Sequence, residues 1–259
     1  MSIITLISDW GLNDYTVSAV KGHILTSMPE ATIVDISHTI EPFNRKAAAY
    51  ILNNAYRNFP EGTVHIIGVC TTESAECKHI AFKLNNHYFV SADNGIPALL
   101  IEQTPPERII ELSVPQDSYK FTFSERDLFA KVAVHLAQGL PIDDLGTPLN
   151  GFYPGSWIIP QEESNKIIGT VVFTDNYGNI VTNISEDLFR KYNKGKTFEI
   201  VLQVDYKITK ISESYEDVYK DEPVAIFNSS GYLEVGINQG NLFELLSYEI
   251  DSRITILFK

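Results

Sequence analysis

The side chains of this chain that could do chemistry concentrate in a few loops. The first loop, residues 8–16, follows an apolar, β-branched run and carries Asp9 and Asp14. It lies where open α/β sheets bind ligands, at the carboxyl end of a strand, so Asp9 could accept hydrogen bonds from ribose hydroxyls and Asp14 could pair with an ammonium. The two carboxylates could equally well have structural roles, one in a turn and the other as a helix cap. The loop has no Gly-x-Gly or Gly-Lys-Ser/Thr signature, and two carboxylates would repel phosphate.

Two further loops carry carboxylate, amide and hydroxyl groups. Residues 175–179, Asp-Asn-Tyr-Gly-Asn, join two segments of strand character, and this composition is typical of a hairpin turn. Residues 228–233, Asn-Ser-Ser-Gly-Tyr-Leu, also read as a turn. His38 and His65 are more simply explained as hydrogen-bonded structural residues than as metal ligands, because no second ligand lies at metal-binding spacing in the same element. The sequence predicts no metal site.

Hydrophobic periodicity predicts the elements that position these loops. Strand, loop and helix alternate twice at the start of the chain, over residues 3–28 and again over residues 32–55. Ser124, followed three residues later by Asp127, predicts a capped helix start. Further segments of strand character lie at residues 63–70, 79–84, 88–92 and 108–112. Such alternation indicates a largely parallel sheet covered by helices.

The pattern changes in the last third of the chain. Residues 146–160 contain three glycines and three prolines, a density that fits a connector. Short strands are then predicted at residues 167–174, 197–204, 206–211, 223–228, 232–237 and 254–258. The sequence therefore predicts an α/β fold class: an N-terminal three-layer α/β domain with a mainly parallel sheet (residues 1–150), a linker (151–165) and a smaller C-terminal antiparallel β-barrel-like domain (166–259).

Composition narrows the classes of partner. The 259 residues include 33 acidic and 20 basic side chains, a net charge of −13 that repels nucleic-acid phosphates, and no local basic patch offsets it. Cys70 and Cys77 are the only cysteines, and their spacing fits neither a disulfide framework nor a zinc site. No apolar stretch approaches the roughly 20 residues of a membrane span, and the start of the chain has no basic leader. We expect a cytoplasmic protein with neither nucleic acid nor membrane as a partner.

Taken together and in order, several short motifs resemble one known family, the S-adenosylmethionine (SAM) hydroxide adenosyltransferases. Fluorinases and chlorinases, which attack the same sulfonium substrate with halide, belong to the same group. The motifs are residues 8–14 (SDWGLND), 34–38 (VDISH), 59–64 (FPEGTV), 93–95 (DNG), 126–129 (RDLF), 175–184 and 228–238. The resemblance covers nearly the whole chain and agrees with the split into two domains.

The resemblance implies a homotrimer that uses SAM as substrate or ligand without a further cofactor. Each ligand would lie between subunits, held by the first domain of one and the β-domain of the next. The implied contacts are Asp9 on the ribose diol, Asp14 and Thr16 near the methionine portion, Phe43 as an aromatic wall, Asp175 on the methionine ammonium, Tyr177 and Asn179 on adenine, and Ser229 near the methionine carboxylate. Acidic positions suit a ligand that carries a sulfonium and an ammonium.

The chain departs from the family where the reaction occurs. The hydrolases that it resembles use Asp, Arg and His to position the attacking water, and these positions are Cys70, Cys77 and Ser124 here. The halide pocket of the halogenases corresponds to Cys70, Glu73 and Glu125, and a carboxylate there would repel a halide. Halogenase activity is therefore not expected.

Three hypotheses follow. The first is SAM hydrolysis to adenosine and methionine, by in-line attack of water at the ribose 5′ carbon, with Glu73 or Glu125 orienting the water and Ser124 contributing one hydrogen bond. The second is a catalytically inactive protein that binds SAM or adenosine. The third is transfer to another nucleophile, such as a Cys70 thiolate, although Glu73 lies nearby and Lys78 is the nearest cation in sequence.

Overall fold

The computed structural model describes residues 2–101, 104–155, 158–203 and 206–259. Its contacts divide the chain into two units, Met1–Ser156 and Trp157–Lys259. The predicted linker, residues 151–165, includes Ser156 and Trp157, which lie outside the described residues. The exact limits of the two predicted domains stay predictions.

A seven-stranded sheet forms the middle layer of the first unit. Its strands are β1 (Ile3–Ser8), β2 (Thr32–Ser37), β3 (Val64–Gly68), β4 (His79–Leu84), β5 (His87–Ala92), β6 (Arg108–Leu112) and β7 (Gly146–Pro148). They lie in the order β2-β1-β3-β5-β4-β6-β7. The neighbours β2/β1, β1/β3 and β3/β5 are parallel, and the remaining three pairs are antiparallel. The sheet is therefore mixed, and it is parallel where the loops of interest begin.

Helices cover this sheet. They are α1 (Thr16–Ser27), α2 (Arg45–Tyr56), α3 (Ile96–Leu99) and α4 (Ala130–Ala137). Helix α1 packs against α4, and α2 packs against α3. Val20, Ile24 and Met28 recur at helical spacing and are buried in the core with residues of β1 and β3. Helix α2 begins after Asn44, whose side chain accepts a hydrogen bond from the backbone N–H of Ala47 at 2.9 Å.

A helical segment begins after Ser124, as predicted, but the predicted capping by Ser124 is wrong. Its side chain makes no capping hydrogen bond, and Glu125–Phe129 form a π-helical turn that leads into α4. The carboxylate of Asp127 is held by the guanidinium of Arg126 through hydrogen bonds of 2.5 and 2.9 Å, so it does not return to the Ser124 backbone. A π-helical turn inserts an extra residue into a helix and is frequent at functional sites.

An antiparallel sheet of eight strands builds the second unit. Its strands are β8 (Gln161–Glu163), β9 (Lys166–Thr174), β10 (Ile180–Ser185), β11 (Phe198–Gln203), β12 (Tyr206–Ile208), β13 (Pro223–Phe227), β14 (Tyr232–Ile237) and β15 (Arg253–Phe258). Seven of them follow the order β12-β11-β15-β9-β10-β14-β13, and β8 pairs with β9. The end strands β12 and β13 come into contact, so the sheet is nearly closed, like a barrel.

Two helices of the second unit, α5 (Glu186–Asn193) and α6 (Leu242–Leu245), were not predicted. Ser185 caps α5 by accepting the backbone N–H of Leu188 at 3.2 Å. The predicted strand at residues 197–204 corresponds to β11, and Val204 lies outside the described residues. The predicted fold class, an α/β unit followed by a smaller antiparallel barrel-like unit, is confirmed. Within the described ranges, no helix has the length and apolar character to cross a membrane.

Candidate active site

The ends of three parallel strands place the candidate site at one edge of the first sheet. Strands β1, β3 and β5 end at Ser8, Gly68 and Ala92, and the register pairs Ser8 with Gly68. The loops that follow these strands carry Asp9 and Cys70. Because the carboxyl ends of neighbouring parallel strands share an edge, these loops meet there, in the position where open α/β sheets bind ligands.

Asp9, Phe43 and Cys70 form one cluster at this edge. Oδ2 of Asp9 accepts the backbone N–H of Phe43 at 2.8 Å, and the Cys70 thiol donates to the Phe43 carbonyl, with Sγ and O 3.7 Å apart. Phe43 and Cys70 have φ angles of 66° and 53°, a left-handed region that is uncommon for residues other than glycine. Phe43 is 76% exposed. The structure thus brings three predicted site residues together and leaves the aromatic ring accessible to a ligand.

Two residues that were not predicted as site residues, Asn94 and Arg45, hold the loop after β3. Nδ2 of Asn94 donates to the carbonyls of Val69 and Cys70 at 2.8 and 3.0 Å. Nη1 of Arg45 donates to the Asn94 carbonyl at 2.7 Å. The Asp-Asn-Gly motif pointed to Asn94, whereas nothing in the sequence pattern distinguished Arg45 from a surface arginine at a helix start.

Cys70 and Cys77 are both free thiols. Burial raises the pKa of the Cys70 thiol, the charge of Arg45 offsets part of this, and Asp9 adds to the rise. Burial also raises the pKa of Cys77, with Asp93 as the next contributor. Thiols with raised pKa values stay protonated at neutral pH, so these two positions carry no charge toward a ligand.

A cleft of about 320 Å³ lies between the loops after β1 and β3 and the π-helical turn. Its lining includes Trp10, Thr16, Thr71 and Glu125. Asp14 is outside this lining, and its carboxylate accepts the backbone N–H of Thr16 at 2.8 Å, which lowers the Asp14 pKa. Asp14 therefore supports the start of α1, as the structural explanation predicted, and Thr16 faces the cleft.

Glu125 is the buried carboxylate of this cleft. The residue is only 6% exposed, and its Oε1 accepts a hydrogen bond from the hydroxyl of Thr71. Burial raises the pKa of Glu125, and the hydrogen bond from Thr71 offsets part of that rise. A carboxyl group that lines a cleft and has a raised pKa has the properties of a general base or acid.

The other two predicted catalytic residues are placed differently. Ser124 is buried and lies outside the lining of the cleft. Glu73 is exposed, and its Oε2 lies 3.8 Å from Nδ1 of His79. His79 was not predicted, because a lone histidine at the start of a strand carries no sequence signal. Of the carboxylates at residues 73 and 125, only Glu125 is in the cleft.

In the second unit, the loop between β9 and β10 brings Asp175, Tyr177 and Asn179 together. Oδ1 of Asp175 accepts the backbone N–H groups of Tyr177 and Asn179, both at 2.9 Å. Its Oδ2 accepts a hydrogen bond from Nδ2 of Asn179 at 2.9 Å. These three residues line a cavity of about 710 Å³ with Tyr215, Asn241 and others. Asp175 therefore shapes its own loop and also faces a cavity of ligand size.

A buried carboxylate, Glu234, connects this loop to the turn that carries Ser229. Glu234 is 7% exposed and accepts hydrogen bonds from the Tyr215 hydroxyl and, at 2.9 Å, from Nδ2 of Asn228. The Tyr215 hydroxyl in turn lies 3.4 Å from Nδ2 of Asn179. Burial, followed by the contact with Glu234, raises the pKa of Tyr215, so the phenol stays a donor. Ser229 follows Asn228 in the turn and is not part of the cavity lining.

The two histidines that were predicted to be structural form hydrogen bonds inside the first unit. Nδ1 of His38 lies 2.6 Å from Oγ of Ser8. The ring of His65 bonds to Thr5 at 2.7 Å and to His87 at 3.1 Å. Over the part of the chain that the structure describes, no group of three or more His, Cys, Asp or Glu residues could hold a metal ion.

Comparison with known proteins gives consistent matches along the chain. Residues 4–146 match the SAM hydroxide adenosyltransferase N-terminal domain, and residues 169–255 match the corresponding C-terminal domain. The chain is 30% identical to an (R)-S-adenosyl-L-methionine hydrolase of Methanocaldococcus jannaschii, over 100% of this chain and 97% of that protein. A fluorinase of Nocardia brasiliensis is 24% identical, over 99% of this chain and 96% of its own.

Solved structures agree with the sequence matches. The crystal structure of an uncharacterized conserved protein from Thermotoga maritima superposes with a TM-score of 0.90 at 33% identity, covering 98% of this chain and 99% of that one. A conserved hypothetical protein from Thermus thermophilus gives a TM-score of 0.77 at 27% identity, over the whole of both chains. The resemblance inferred from the motifs is confirmed. The chain belongs to the SAM hydroxide adenosyltransferase family.

Proposed function

We propose that this protein hydrolyses SAM to adenosine and methionine. Water attacks the ribose 5′ carbon in line with the carbon–sulfur bond. That bond breaks, its electron pair stays on sulfur to give neutral methionine thioether, and the water loses a proton. Because the sulfonium is a good leaving group, positioning of the water and acceptance of its proton are the main tasks of the protein.

The observation that carries the proposal is the buried Glu125 carboxyl in the cleft beside Thr16. Its Oε1 accepts a hydrogen bond from Thr71, and because Glu125 lines the cleft, its carboxylate can also accept a hydrogen bond from a water molecule there. Burial raises the pKa of Glu125, which brings a carboxylate closer to the proton affinity that a general base needs. Glu125 thus takes the water-orienting role for which the hypothesis named Glu73 or Glu125. Ser124 lies outside the lining of the cleft, so it has no role in orienting the water in this proposal.

The remaining predicted residues bind the substrate in this proposal. Asp9 receives the ribose diol, Thr16 and Asp14 lie toward the methionine portion, and Phe43 packs on the ligand. From the second unit, Asp175 receives the ammonium, Tyr177 and Asn179 recognise adenine, and Ser229 lies near the methionine carboxylate. The clusters at Asp9 and at Asp175, together with the net charge of −13, support a cationic ligand.

We also propose a homotrimer with the site between subunits, as the family resemblance implies. Sedimentation equilibrium of the purified protein is the test, and the expected species has three times the chain mass of 29.1 kDa. A monomer at assay concentrations that still turns over SAM would contradict this part of the proposal. Cytoplasmic location stays a prediction.

One observation favours a second candidate, a SAM- or adenosine-binding protein without turnover. The family positions for a charged catalytic pair hold Cys70 and Cys77, whose raised pKa values keep them neutral. The same fact argues against Cys70 as a nucleophile, since its thiol donates to the Phe43 carbonyl and is not a thiolate. A Glu125 carboxylate in the cleft argues against halide as a nucleophile.

The decisive experiment incubates the purified protein with SAM in halide-free and in chloride buffer. Adenosine, methionine and 5′-chloroadenosine are quantified by mass spectrometry, and SAM binding is followed by thermal shift. We expect adenosine and methionine in equal amounts, abolished in Glu125→Gln and unchanged in Glu30→Gln, a matched change at an exposed turn. A thermal shift without product would instead identify the binding protein, and 5′-chloroadenosine would identify a halogenase.

A further inference from the structure

We infer that His79 is a positioning residue of this site, which holds Thr71 and, through it, the Glu125 carboxylate. This inference rests on the proposed function, because it assigns Glu125 the role of water-orienting carboxylate. His79 itself does not line the cleft. Its effect therefore passes through Thr71, whose hydroxyl is the donor to Glu125.

The first step is the hydrogen bond between His79 and the Thr71 backbone. Nε2 of His79 lies 2.8 Å from the Thr71 carbonyl oxygen, and His79 is only 2% exposed. A carbonyl oxygen can only accept a hydrogen bond, so Nε2 carries a hydrogen and donates a hydrogen bond to the Thr71 carbonyl. Thr71 is thus fixed at two points, by its carbonyl to His79 and by its hydroxyl to Glu125.

The second step is the contact between His79 and the π-helical turn. The ring of Phe129 stands at 87° to the imidazole, with the ring centroids 4.9 Å apart. Phe129 and Glu125 are the two ends of the same π-helical turn. His79 therefore touches both segments whose relative position sets the Thr71–Glu125 hydrogen bond: the loop after β3 and the turn that carries the carboxylate.

The third step concerns the other ring nitrogen. Nδ1 of His79 is buried and has no hydrogen-bond partner among the described residues, while Oε2 of Glu73 lies 3.8 Å away. The arrangement therefore places the imidazole between Glu73, which is exposed, and Glu125, which is buried. Glu73 would therefore act on the water only indirectly, through its contact with His79.

The test compares His79→Ala, His79→Gln and Thr71→Val with wild type in the adenosine assay. The side-chain amide of Gln can donate to the Thr71 carbonyl as Nε2 does, so it should restore most of the rate. We expect His79→Ala and Thr71→Val to lower kcat roughly 10- to 100-fold with little change in KM, because a small misplacement of a reacting group has effects of this size. The double variant His79→Ala/Thr71→Val should have a kcat little lower than that of either single variant, since both changes break the same connection from His79 through Thr71 to Glu125.

His135→Ala is the matched control. Nε2 of His135 lies 2.9 Å from the Pro141 carbonyl, at the end of α4 and outside the cleft, so this change removes a similar hydrogen bond elsewhere. Circular dichroism and melting curves establish that each variant is folded. Wild-type kcat in folded His79→Ala, or equal losses in His79→Ala and His79→Gln, would overturn the inference and leave the proposed function intact.

A second measurement does not depend on turnover. The Glu125 carboxyl is titrated by carbon-13 NMR in glutamate-labelled protein and assigned with Glu125→Gln. Burial raises the Glu125 pKa, the hydrogen bonds from Thr71 and from the Glu125 backbone lower it, the charge interaction with His79 also lowers it, and Asp9 raises it. We expect a higher Glu125 pKa in His79→Ala than in wild type. An unchanged value would overturn the inference even if wild type forms no adenosine, an outcome that would separately refute the proposed function.

Discussion

Replacement of Asp175 separates its role in shaping a loop from its proposed role in receiving an ammonium. In Asp175→Ala, the backbone N–H groups of Tyr177 and Asn179 and the side-chain amide of Asn179 lose their acceptor. At roughly 1 kcal/mol per hydrogen bond, the free energy of unfolding falls by about 3 kcal/mol, or roughly 6–12 °C in Tm. Asp175→Asn keeps an oxygen for the two backbone groups, so its Tm should fall less.

The affinity for SAM should fall in both variants, because both remove the charge. A hydrogen-bonded charge pair contributes about 1.5–3 kcal/mol, which corresponds to roughly 10- to 150-fold in Kd. Isothermal titration calorimetry on the Glu125→Gln background measures this without turnover. Adenosine is the matched ligand, because it has no ammonium. Its affinity should fall less than that of SAM in Asp175→Asn, where Asn179 loses its acceptor, and should fall further in Asp175→Ala, where the two backbone groups lose theirs as well.

Two controls make the comparison decisive. Asp187→Asn removes an exposed carboxylate of α5 and should leave both affinities unchanged. If Asp175→Asn binds SAM as tightly as wild type does, the ammonium is not held at this loop and the assignment of Asp175 is wrong. If adenosine and SAM weaken equally in Asp175→Asn, the carboxylate acts through loop shape alone.

Three further predictions test other parts of the molecule. Glu234→Gln should lower Tm by several degrees and weaken adenosine binding, whereas Glu249→Gln at an exposed position should do neither; differential scanning calorimetry and titration calorimetry measure both. Burial, with a smaller effect of His87, lowers the His65 pKa from 6.5 to about 3. The folded protein therefore holds His65 neutral, and the stability that this contributes is complete above pH 6.5 and is lost as the pH falls toward 3. A plot of Tm against pH should be flatter for His65→Gln than for wild type. Cys70 and Cys77 should react with iodoacetamide at pH 7.5 more slowly than the amino acid cysteine does in solution. Rapid labelling of Cys70 would instead support the thiolate hypothesis.

The sequence was most informative where a local pattern determines a local structure. The strand that ends at Ser8, the helix stripe at Val20 and Ile24, and the turn at Asp175 follow from hydrophobic spacing and turn composition. Helix α5 also had a readable signal, Ser185 before two acidic residues, but the surrounding strand pattern obscured a helix of only eight residues.

Contacts between distant residues could not be predicted in this way. Glu234 lies within an apolar strand and pairs in register with Val181. Because Glu234 is charged, the sequence alone would favour an exposed position for it. Its partner Tyr215 comes from a short 3₁₀ turn that is 19 residues away in sequence. His79 depends in the same way on Phe129, which is brought near it only by the π-helical turn. Such placements depend on register and on an irregular turn, and neither leaves a periodic signal.

The burial of Glu125 is best explained by function. A carboxyl group that is 6% exposed, with one hydroxyl donor and a raised pKa, destabilises the folded chain relative to an apolar residue of similar size. The buried carboxylate of Glu234, by comparison, accepts hydrogen bonds from the side chains of Tyr215 and Asn228. Local rules of stability are broken mainly at functional sites, and Glu125 is a buried carboxylate that lines a cleft. A water molecule held for attack on SAM would donate a hydrogen bond to this carboxylate. The same residue would then account both for the stability cost at the site and for hydrolysis by a chain whose family catalytic positions are neutral thiols.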